Sequence, residues 1–526
     1  MNLPEDALHA RAGRPRPAHG DAQPGPGGAS GAETVVEDLS RTHVPARIAR
    51  NTAVQLLGRA VAYVIAFASL IVLTRYLGVE GTGNYLLVRS FLATLNTSEL
   101  GLFQITVREL TAGRVKADIL LGNMFVIRLG QGVFSVLLVS GAALLLHYPA
   151  EVTSAICLAS LSFLFVCIAQ TLSPVLGVNL RMEYQEMGNV AGGLTFVGLI
   201  VVIVTQDMGL IALIVAYDVS VLVNAGVVFV SSLRFVKPRF TIDWQLCKHL
   251  VRESLPLGLA MLLFMAYNRV DIIILSKLEG ADAVGLYGVA YRFVDMAIVF
   301  SAAFVISIYP MLSRYYGAGD IQRLRSLLQK SLNLLFLSTL AGAAVLFVFA
   351  EEVLRLIAFD DFTEAATALR ILSVALVLLC VDSALGHAVL AVGRQGTLFW
   401  ITLTGLLVNV AANFLLIPRF GFDGAAIATL ATEVVVFGLL MTVVARGFGF
   451  VPSLVPAVKA AMVAAAAVAV AMYVAPDNLL PRAGTLALVL GAGLALSRVV
   501  TLGEIRSLFR PAGVEAERRA RGGASA

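Results

Sequence analysis

Long apolar segments constrain this chain more than any other feature of its sequence. The chain contains about fourteen runs of roughly 20 mostly apolar residues, the length that an α-helix needs to cross a hydrocarbon core of about 30 Å. Apolar residues make up 58% of the 526 residues, and charged residues only 14%. The mean hydropathy of +0.86 is far above that of a soluble protein of this length. The sequence therefore predicts an integral membrane protein.

The predicted spans are helical. Strands of a transmembrane β-barrel would alternate in hydrophobicity over about ten residues, whereas these runs are continuous and rich in Leu, Ala and Val. The expected fold is an all-α polytopic membrane protein with about 14 transmembrane helices. The predicted spans cover residues 53–74, 85–104, 124–146, 152–174, 189–205, 209–231, 254–276, 286–310, 327–350, 366–389, 398–417, 424–446, 455–475 and 483–501.

Lys and Arg residues are distributed unevenly between the two membrane sides that these spans define. If the amino terminus is cytoplasmic, 24 of them in the connections and tails lie on the cytoplasmic side and 5 on the opposite side. Cytoplasmic connections of membrane proteins carry such an excess. We therefore predict a multi-pass protein with both termini in the cytoplasm. The net charge of +5 is largely this bias, so no nucleic-acid partner is expected.

One short segment occurs twice. The sequence "LTRYLGVEGTGNY" at residues 73–85 recurs 202 residues later as "LSKLEGADAVGLY" at residues 275–287, with seven of thirteen positions identical or conservatively replaced. Six predicted helices separate the copies, so both lie on the same membrane face, as in parallel repeats. Convergent turn chemistry, with Gly and acidic residues in outer loops, is the alternative explanation. Because the flanking polar residues also recur, duplication is the better explanation.

The repeat predicts two parallel six-helix lobes with two further helices at the carboxyl end. The longest connection contains "DWQLCKHLVRE", which has one apolar helical face and is expected to lie on the membrane surface. The Pro- and Gly-rich amino-terminal segment predicts disorder and contains no signal peptide. The predicted parts are a cytoplasmic tail at 1–45, an N-lobe at 46–231, an amphipathic linker at 232–253, a C-lobe at 254–447, helices 13 and 14 at 448–504, and a tail at 505–526.

Several arginines lie inside the predicted spans. Each costs about 2.5–3.5 kcal/mol at a helix centre on insertion scales, so these side chains are expected to face protein or water rather than lipid. A cavity wall is the simplest arrangement that accommodates them. The four arginines nearest to the repeated segments are Arg59, Arg89, Arg269 and Arg292.

Acidic and amide side chains form a second polar set within the spans. Asn96 and Glu99 follow Arg89 at helical spacing, so the three side chains share one stripe of a helix. Arg292 and Asp295 are three residues apart and either neutralise each other or act in function. The predicted polar cavity residues, which are candidates for ion coupling, are Asn96, Glu99, Asp218, Asp271 and Asp382; Arg128 and Glu433 are further charged residues within spans.

No cofactor or metal site is predicted. Cys157, Cys167, Cys247 and Cys380 form no CxxC pair, and His147 and His387 have no companion at ligand spacing. The glycine-rich "GVEGTG" lacks a Walker lysine.

Two longer segments resemble a known family. With the two six-helix lobes and two extra helices, "NRVDIIILSKLEGADAVGLYGVAYRF" and "NFLLIPRFGFDGAAIAT" resemble bacterial oligosaccharide flippases of the Wzx type. These belong to the multidrug/oligosaccharidyl-lipid/polysaccharide exporter superfamily, which includes lipid II flippases and multidrug exporters. The resemblance covers roughly residues 46–505.

The resemblance implies a function without catalysis. A Wzx-type flippase of the bacterial inner membrane moves a polyprenyl-diphosphate-linked oligosaccharide from the cytoplasmic to the periplasmic leaflet by alternating access of two lobes. Such a protein works in the lipid bilayer and serves the polysaccharide polymerase machinery. Related lipid II flippases hold their anionic headgroup at arginines that Arg59, Arg89, Arg269 and Arg292 match here.

Three alternatives remain at this stage. A lipid II flippase would share the diphosphate chemistry. A cation-coupled multidrug exporter would use acidic residues such as Glu99, Asp218, Asp271 and Asp382, although the arginines argue against it. A membrane-embedded polymerase or ligase would need a large outer loop, but the longest predicted outer loop, at 351–364, has only about a dozen residues.

Overall fold

The computed structural model describes residues 44–95, 101–113, 115–237, 239, 241–474 and 478–497. Contacts within the chain separate Met1–Ala49 from Arg50–Ala526, and the fold described below is that of the second unit. Within the described ranges the protein is helical and contains no strand. The expected all-α fold is confirmed.

Sixteen α-helices and one 3-10 helix are described. They are α1 (Val44–Thr94), α2 (Leu102–Ala112), α3 (Ala117–Leu145), α4 (Ala150–Ser160), α5 (Ser162–Val178), α6 (Glu183–Gln206), α7 (Gly209–Ser232), α8 (Trp244–Tyr267), α9 (Val270–Leu278), α10 (Gly280–Gly317), α11 (Ile321–Val348), α12 (Ala350–Ala358), the 3-10 helix Asp360–Ala365, α13 (Ala366–Ala391), α14 (Gln395–Phe448), α15 (Val455–Val474) and α16 (Leu479–Ser497).

Eleven helical segments in the described ranges are long and apolar enough to cross a membrane. Two of them, in α1 and α14, join two helices at a glycine with a non-helical backbone, Gly78 and Gly421. The count of fourteen spans stays a prediction. The second predicted span, at 85–104, differs from the structure because α1 ends at Thr94 and the left-handed Gly101 precedes the separate helix α2.

The two copies of the repeated segment turn the chain in the same way. Gly78 has a φ of 64°, and its repeat equivalent Gly280, the first residue of α10, has a φ of 88°. Residues with a β-carbon rarely adopt this left-handed region, whereas glycine enters it at little cost. The glycine that both copies retain at this position is therefore required by the turn.

The repeated segments also touch each other. A β-carbon at Gly83 would lie 1.8 Å from the carbonyl oxygen of Ala281, and a β-carbon at Gly285 would lie 2.3 Å from that of Val79. Gly83 and Gly285 are equivalent in the repeat, as are Val79 and Ala281. Helices α1 and α10 thus cross in backbone contact, and each contributes the same two positions. Small residues permit such close crossings. We call this contact the glycine crossing.

A hydrophobic core surrounds the glycine crossing. It joins side chains from both predicted lobes, including Leu73, Phe91, Leu275 and Tyr287, with Phe362 of the 3-10 helix. Chain segments before and after α10 therefore pack together at this end of the protein. Under the predicted orientation, this end faces away from the cytoplasm.

Helix α12 adds further contacts at the same end. The Thr74 hydroxyl donates to the carbonyl of Ile357 at 3.4 Å, and Arg75 donates to the carbonyl of Leu356 at 3.5 Å. The Arg75 guanidinium also lies 4.7 Å from the ring centre of Phe359. These contacts connect the first half of α1 to a segment more than 280 residues away.

The predicted linker at 232–253 overlaps a long helix. Asp243 caps α8 by accepting hydrogen bonds from the backbone of Gln245 at 2.9 Å and Leu246 at 3.1 Å. The apolar face of "DWQLCKHLVRE" then continues into the rest of α8 as far as Tyr267. Because residues 50–526 form a single unit by contacts, the predicted lobe and linker boundaries stay predictions.

Candidate functional site: an arginine-lined cavity

A cavity of about 270 Å³ lies among α1, α6, α7 and α10. Its polar wall includes Arg89 of α1, Tyr217 and Ser220 of α7, and Arg292 and Asp295 of α10. Tyr85, four residues before Arg89, also lines it. The cavity is therefore bounded by helices from both predicted lobes, beneath the core that surrounds the glycine crossing. We call it the arginine cavity.

Arg89 is the least compensated charge in the arginine cavity. Its guanidinium lies 3.9 Å from the ring centre of Tyr217, a cation–π contact. Its Nη1 atom is buried, and no described residue is a hydrogen-bond partner for it. Within the part of the chain that the structure describes, Arg89 forms no ion pair. A buried donor of this kind costs free energy unless a ligand satisfies it.

Asp295 forms ion pairs with two other arginines. Arg269 donates to both carboxylate oxygens of Asp295 at 2.9 Å, and Arg292 donates to one of them at 3.2 Å. The positive charges of Arg89, Arg269 and Arg292 act on one another. Arg292 and Asp295 consequently do not form a closed neutral pair, because Arg269 shares the carboxylate. The cavity and its immediate wall hold three guanidinium groups and this one bridging carboxylate.

Asp218 lies next to Tyr217 on α7 and is attracted by Arg89. Asp218 is buried, and its Oδ1 atom has no hydrogen-bond partner within the described ranges. Asp218 therefore offsets part of the positive charge without joining the hydrogen-bonded group around Asp295. An excess of positive charge remains.

One of the four sequence-predicted arginines, Arg59, lies outside the arginine cavity. The Arg59 side chain is 56% exposed, sits 3.9 Å from the Glu186 carboxylate and does not line the arginine cavity. Asn96 and Glu99 fall outside the described residues. The structure thus brings together Arg89, Arg269 and Arg292 of the four predicted arginines.

A buried acidic group lies on the α8–α10 side of the protein. The Tyr287 hydroxyl donates to Asp271 at 2.6 Å and lies 3.2 Å from the Thr429 hydroxyl. Asp271 also accepts from the backbone N–H of Ile272. The carboxylate is 4% exposed and is therefore held by hydrogen bonds rather than by water.

Two further carboxylates belong to this acidic group. Tyr267 donates a hydrogen bond to Glu433, and the buried carboxyl groups of Glu433 and Asp382 interact with each other. Tyr291 lies near both these carboxylates and the arginines, and the charges of Arg269 and Asp271 also act on each other directly. The Tyr291 ring centre lies 5.4 Å from the Arg269 guanidinium, and its hydroxyl feels the charges of both Asp271 and Glu433. Cationic and acidic groups are thus adjacent but distinct.

The tyrosines are the residues that sequence reasoning missed. Tyr217, Tyr267, Tyr287 and Tyr291 provide the cation–π contacts and hydroxyl hydrogen bonds of both groups. One signal was available, because Tyr287 is conserved between the two copies of the repeat. The spacing of Tyr287 and Tyr291 on one helical face was a second.

The fold and the cavity together define a polytopic helical membrane protein with a cationic internal site. The chain belongs to the polysaccharide biosynthesis protein family, whose family model matches residues 48–316, just over half of the sequence. The MatE family model matches residues 256–415. The resemblance to the exporter superfamily is confirmed.

Named relatives show similarity over parts of their length. The chain is 27% identical over 163 residues to the probable low-salt glycan biosynthesis flippase Agl15 of Haloferax volcanii, covering 31% of this chain and 34% of the relative. It is 26% identical over 211 residues to the probable flippase AglR of the same organism, covering 40% and 44%. A probable multidrug resistance protein, NorM of Geobacillus kaustophilus, is 31% identical over 180 residues, covering 32% and 38%. The chain thus matches less than half the length of these relatives.

Solved structures match over much more of the chain. The lipid II flippase MurJ in an inward closed conformation superposes with a TM-score of 0.69 at 14% identity, covering 88% of this chain and 99% of that one. An inward-facing multidrug resistance transporter of the MATE family gives a TM-score of 0.64 at 16% identity, covering 74% and 94%. At these identities the likeness shows a shared fold. The protein is a multi-pass membrane protein with this transporter fold.

Proposed function

We propose that the protein is a flippase that moves a polyprenyl-diphosphate-linked oligosaccharide across the membrane for cell-surface polysaccharide synthesis. The observation that carries this proposal is the excess of guanidinium groups in the arginine cavity. Arg269 and Arg292 share the Asp295 carboxylate, while the buried Nη1 atom of Arg89 has no hydrogen-bond partner among the described residues. The relatives named as glycan flippases support the same class of function.

A diphosphate matches this site chemically. It carries negative charge spread over several oxygens, and planar guanidinium groups donate to such oxygens in parallel pairs. The Nη1 atom of Arg89 is buried, and charge-assisted hydrogen bonds are stronger where water is excluded. The diphosphate would bind Arg89 directly and compete with Asp295 for Arg269 and Arg292. The lipid tail would stay in the bilayer while the glycan passes between the lobes.

The acidic group suggests how transport is driven. Asp271, Asp382 and Glu433 are buried in the same predicted lobe as Arg269 and Arg292, and Tyr291 interacts with charges of both sets. Binding of a cation among these carboxylates would change the field at the arginines. Ion coupling through Asp271 and Asp382 is therefore part of the proposal, and Asp218 would play the corresponding part beside Arg89.

A cation-coupled multidrug exporter is the second candidate. The buried carboxylates Asp271, Asp382 and Glu433 favour it, because such groups attract cationic drugs. The arginine cavity disfavours it, since its surplus positive charge repels them. A lipid II flippase would carry the same diphosphate and differ in the sugar.

Transport in reconstituted vesicles tests the proposed function. The probe is a fluorescent sugar on a polyprenyl diphosphate, and a membrane-impermeant quencher reports which leaflet holds it. We expect the purified protein to speed exchange between leaflets of this lipid but not of the same sugar linked to polyprenol without phosphate. Equal rates for both lipids would contradict the role of the diphosphate. Transport of ethidium instead would establish the exporter.

In the proposed orientation the protein spans a bacterial plasma membrane and has both termini in the cytoplasm. The polymerase machinery receives the glycan on the outer side. A phosphatase that is active only outside the cytoplasm is expected to work when fused after Asp282 and to be inactive when fused after Asp320. The first position follows the repeated turn at Gly280 and the second caps α11. The opposite pattern of activity would reverse the orientation and move substrate loading to the other side.

A further inference from the structure

A second polar cavity, of about 150 Å³, lies among α2, α3, α5 and α6. None of its lining residues belongs to the wall of the arginine cavity. Its polar lining comes from one arginine, three glutamines and one serine, and Phe103 of α2 supplies an aromatic side chain. The polar residues are Gln104, Arg128, Gln170, Ser173 and Gln185. We call it the amide pocket.

The amide pocket is a built site rather than a gap between helices. Arg128 is 1% exposed and donates to the Gln170 side chain, while the Cys167 thiol donates to the Arg128 backbone carbonyl at 2.8 Å. The Gln185 Oε1 atom is buried and has no hydrogen-bond partner among the residues that the structure describes. A buried acceptor of this kind costs free energy unless a donor reaches it. The pocket therefore offers a place to a ligand that brings a hydroxyl.

The side chains that line the amide pocket indicate which class of ligand it binds. Amide side chains both donate and accept, so they match hydroxyl groups, which also do both. No acidic residue lines the pocket among the described residues, and its one charge is positive, so a cationic drug would be repelled. A diphosphate would find one guanidinium here, against three around the arginine cavity. The Phe103 ring, 38% exposed, suits the apolar face of a sugar ring.

The first turn of α6 lines this pocket and also packs against α1. Gln185 lines the pocket, and the next residue, Glu186, packs against α1, where a β-carbon at Gly58 would lie 2.6 Å from the Glu186 β-carbon. Under the proposed orientation, the connections before α3 and before α6 are cytoplasmic. The pocket is thus close to the side from which a substrate would be loaded.

We propose that the amide pocket is a glycan-recognition subsite, which binds one sugar ring of the substrate through Gln185, Gln170 and Arg128 and so contributes to sugar selectivity. This inference rests on the proposed glycan flippase function. It assigns headgroup and sugar to separate places: the diphosphate to the arginine cavity, and a hydroxyl-bearing ring to the amide pocket.

Two cysteine reporters separate these assignments. In full-length protein with Cys157, Cys247 and Cys380 replaced by Ala, and Cys167 by Ser to keep its donor, one variant carries Ser173→Cys in the amide pocket. The other carries Ser220→Cys in the arginine cavity. N-ethylmaleimide labelling rates are measured with glucose, galactose, N-acetylglucosamine, N-acetylgalactosamine or inorganic pyrophosphate.

We expect at least one sugar to slow labelling at position 173 but not at 220, and pyrophosphate to do the reverse. A sugar at ten times its dissociation constant leaves about a tenth of the sites open, so labelling slows about tenfold. Adding Gln185→Leu, which keeps the side-chain volume, should abolish protection by sugar at 173 and leave protection by pyrophosphate at 220.

Different labelling results would refute the glycan subsite and the diphosphate site. If no sugar protects position 173, if that cysteine does not react even without ligand, or if Gln185→Leu leaves protection unchanged, the glycan subsite is refuted. Protection of position 220 by pyrophosphate would still support the headgroup site in that case. If pyrophosphate does not protect position 220 from labelling while a sugar still protects position 173, the assignment of the diphosphate to the arginine cavity is overturned instead.

Discussion

Replacing Arg89 with Ala is expected to abolish glycan export while the protein still inserts and accumulates normally. The buried Nη1 donor of Arg89 has no hydrogen-bond partner among the described residues, and Arg89 forms no ion pair with them, so its removal breaks no salt bridge there. The substrate, in contrast, loses its most available guanidinium. Two charge-assisted hydrogen bonds contribute about 3–6 kcal/mol, so diphosphate binding should weaken at least about a hundredfold.

Two matched variants distinguish the effect of the positive charge of Arg89 from the effects of its planar geometry and of its position in the arginine cavity. Arg89→Lys keeps the positive charge and the contact with Tyr217 but loses the planar fork, so we expect partial export. Arg59→Ala removes an equally intramembrane arginine that is exposed, faces Glu186 and does not line the cavity, so we expect a much smaller effect. Export and membrane abundance are measured together. Normal export by Arg89→Ala at normal abundance would show that Arg89 is structural.

The helices and the intramembrane charges could be predicted from the sequence because each depends on local composition. Apolar runs of sufficient length must span the membrane as helices, and arginine within them must avoid lipid. The repeat predicted that residues 73–85 and 275–287 are equivalent. The positive φ angles at Gly78 and Gly280 agree with this equivalence.

The partners of these charges could not be predicted, because they depend on which helices pack together. Arg269 and Asp295 are 26 residues apart on different helices, and the contact of Arg89 with Tyr217 spans 128 positions. Spacing along one helix reveals only pairs such as Arg292 and Asp295. The same limit applies to the glycine crossing: the repeat identifies Gly83 and Gly285 as equivalent but does not show that they touch.

The amide pocket was missed for a related reason. Arg128 was recognised as an intramembrane charge, but the glutamines around it come from three other helices. Helix α2, which carries Phe103 and Gln104, lies partly inside a predicted span and was not expected as a separate helix. The left-handed Gly101 that precedes α2 was the available signal.

A covalent link between α1 and α10 at the glycine crossing is expected to arrest transport. Thr82 and Val284 are both buried where α1 and α10 meet, one position before Gly83 and Gly285. Alternating access requires the outer ends of the lobes to separate when the substrate is released. This structure has those ends packed together, so a covalent link there would hold the protein in a state closed to the outside.

The most direct measurement is therefore export by a protein with cysteines at Thr82 and Val284, before and after oxidation. The four native cysteines are first replaced, and the same protein carrying only one of the two new cysteines is the control. A disulfide forms only when the Cα atoms come within about 7 Å, so cross-linking itself reports the closed outer end. Alternating access predicts arrest of export on oxidation and full recovery on reduction, with no effect in the controls. Efficient cross-linking with undiminished export would contradict it, because lobes joined at their outer ends could not release an oligosaccharide.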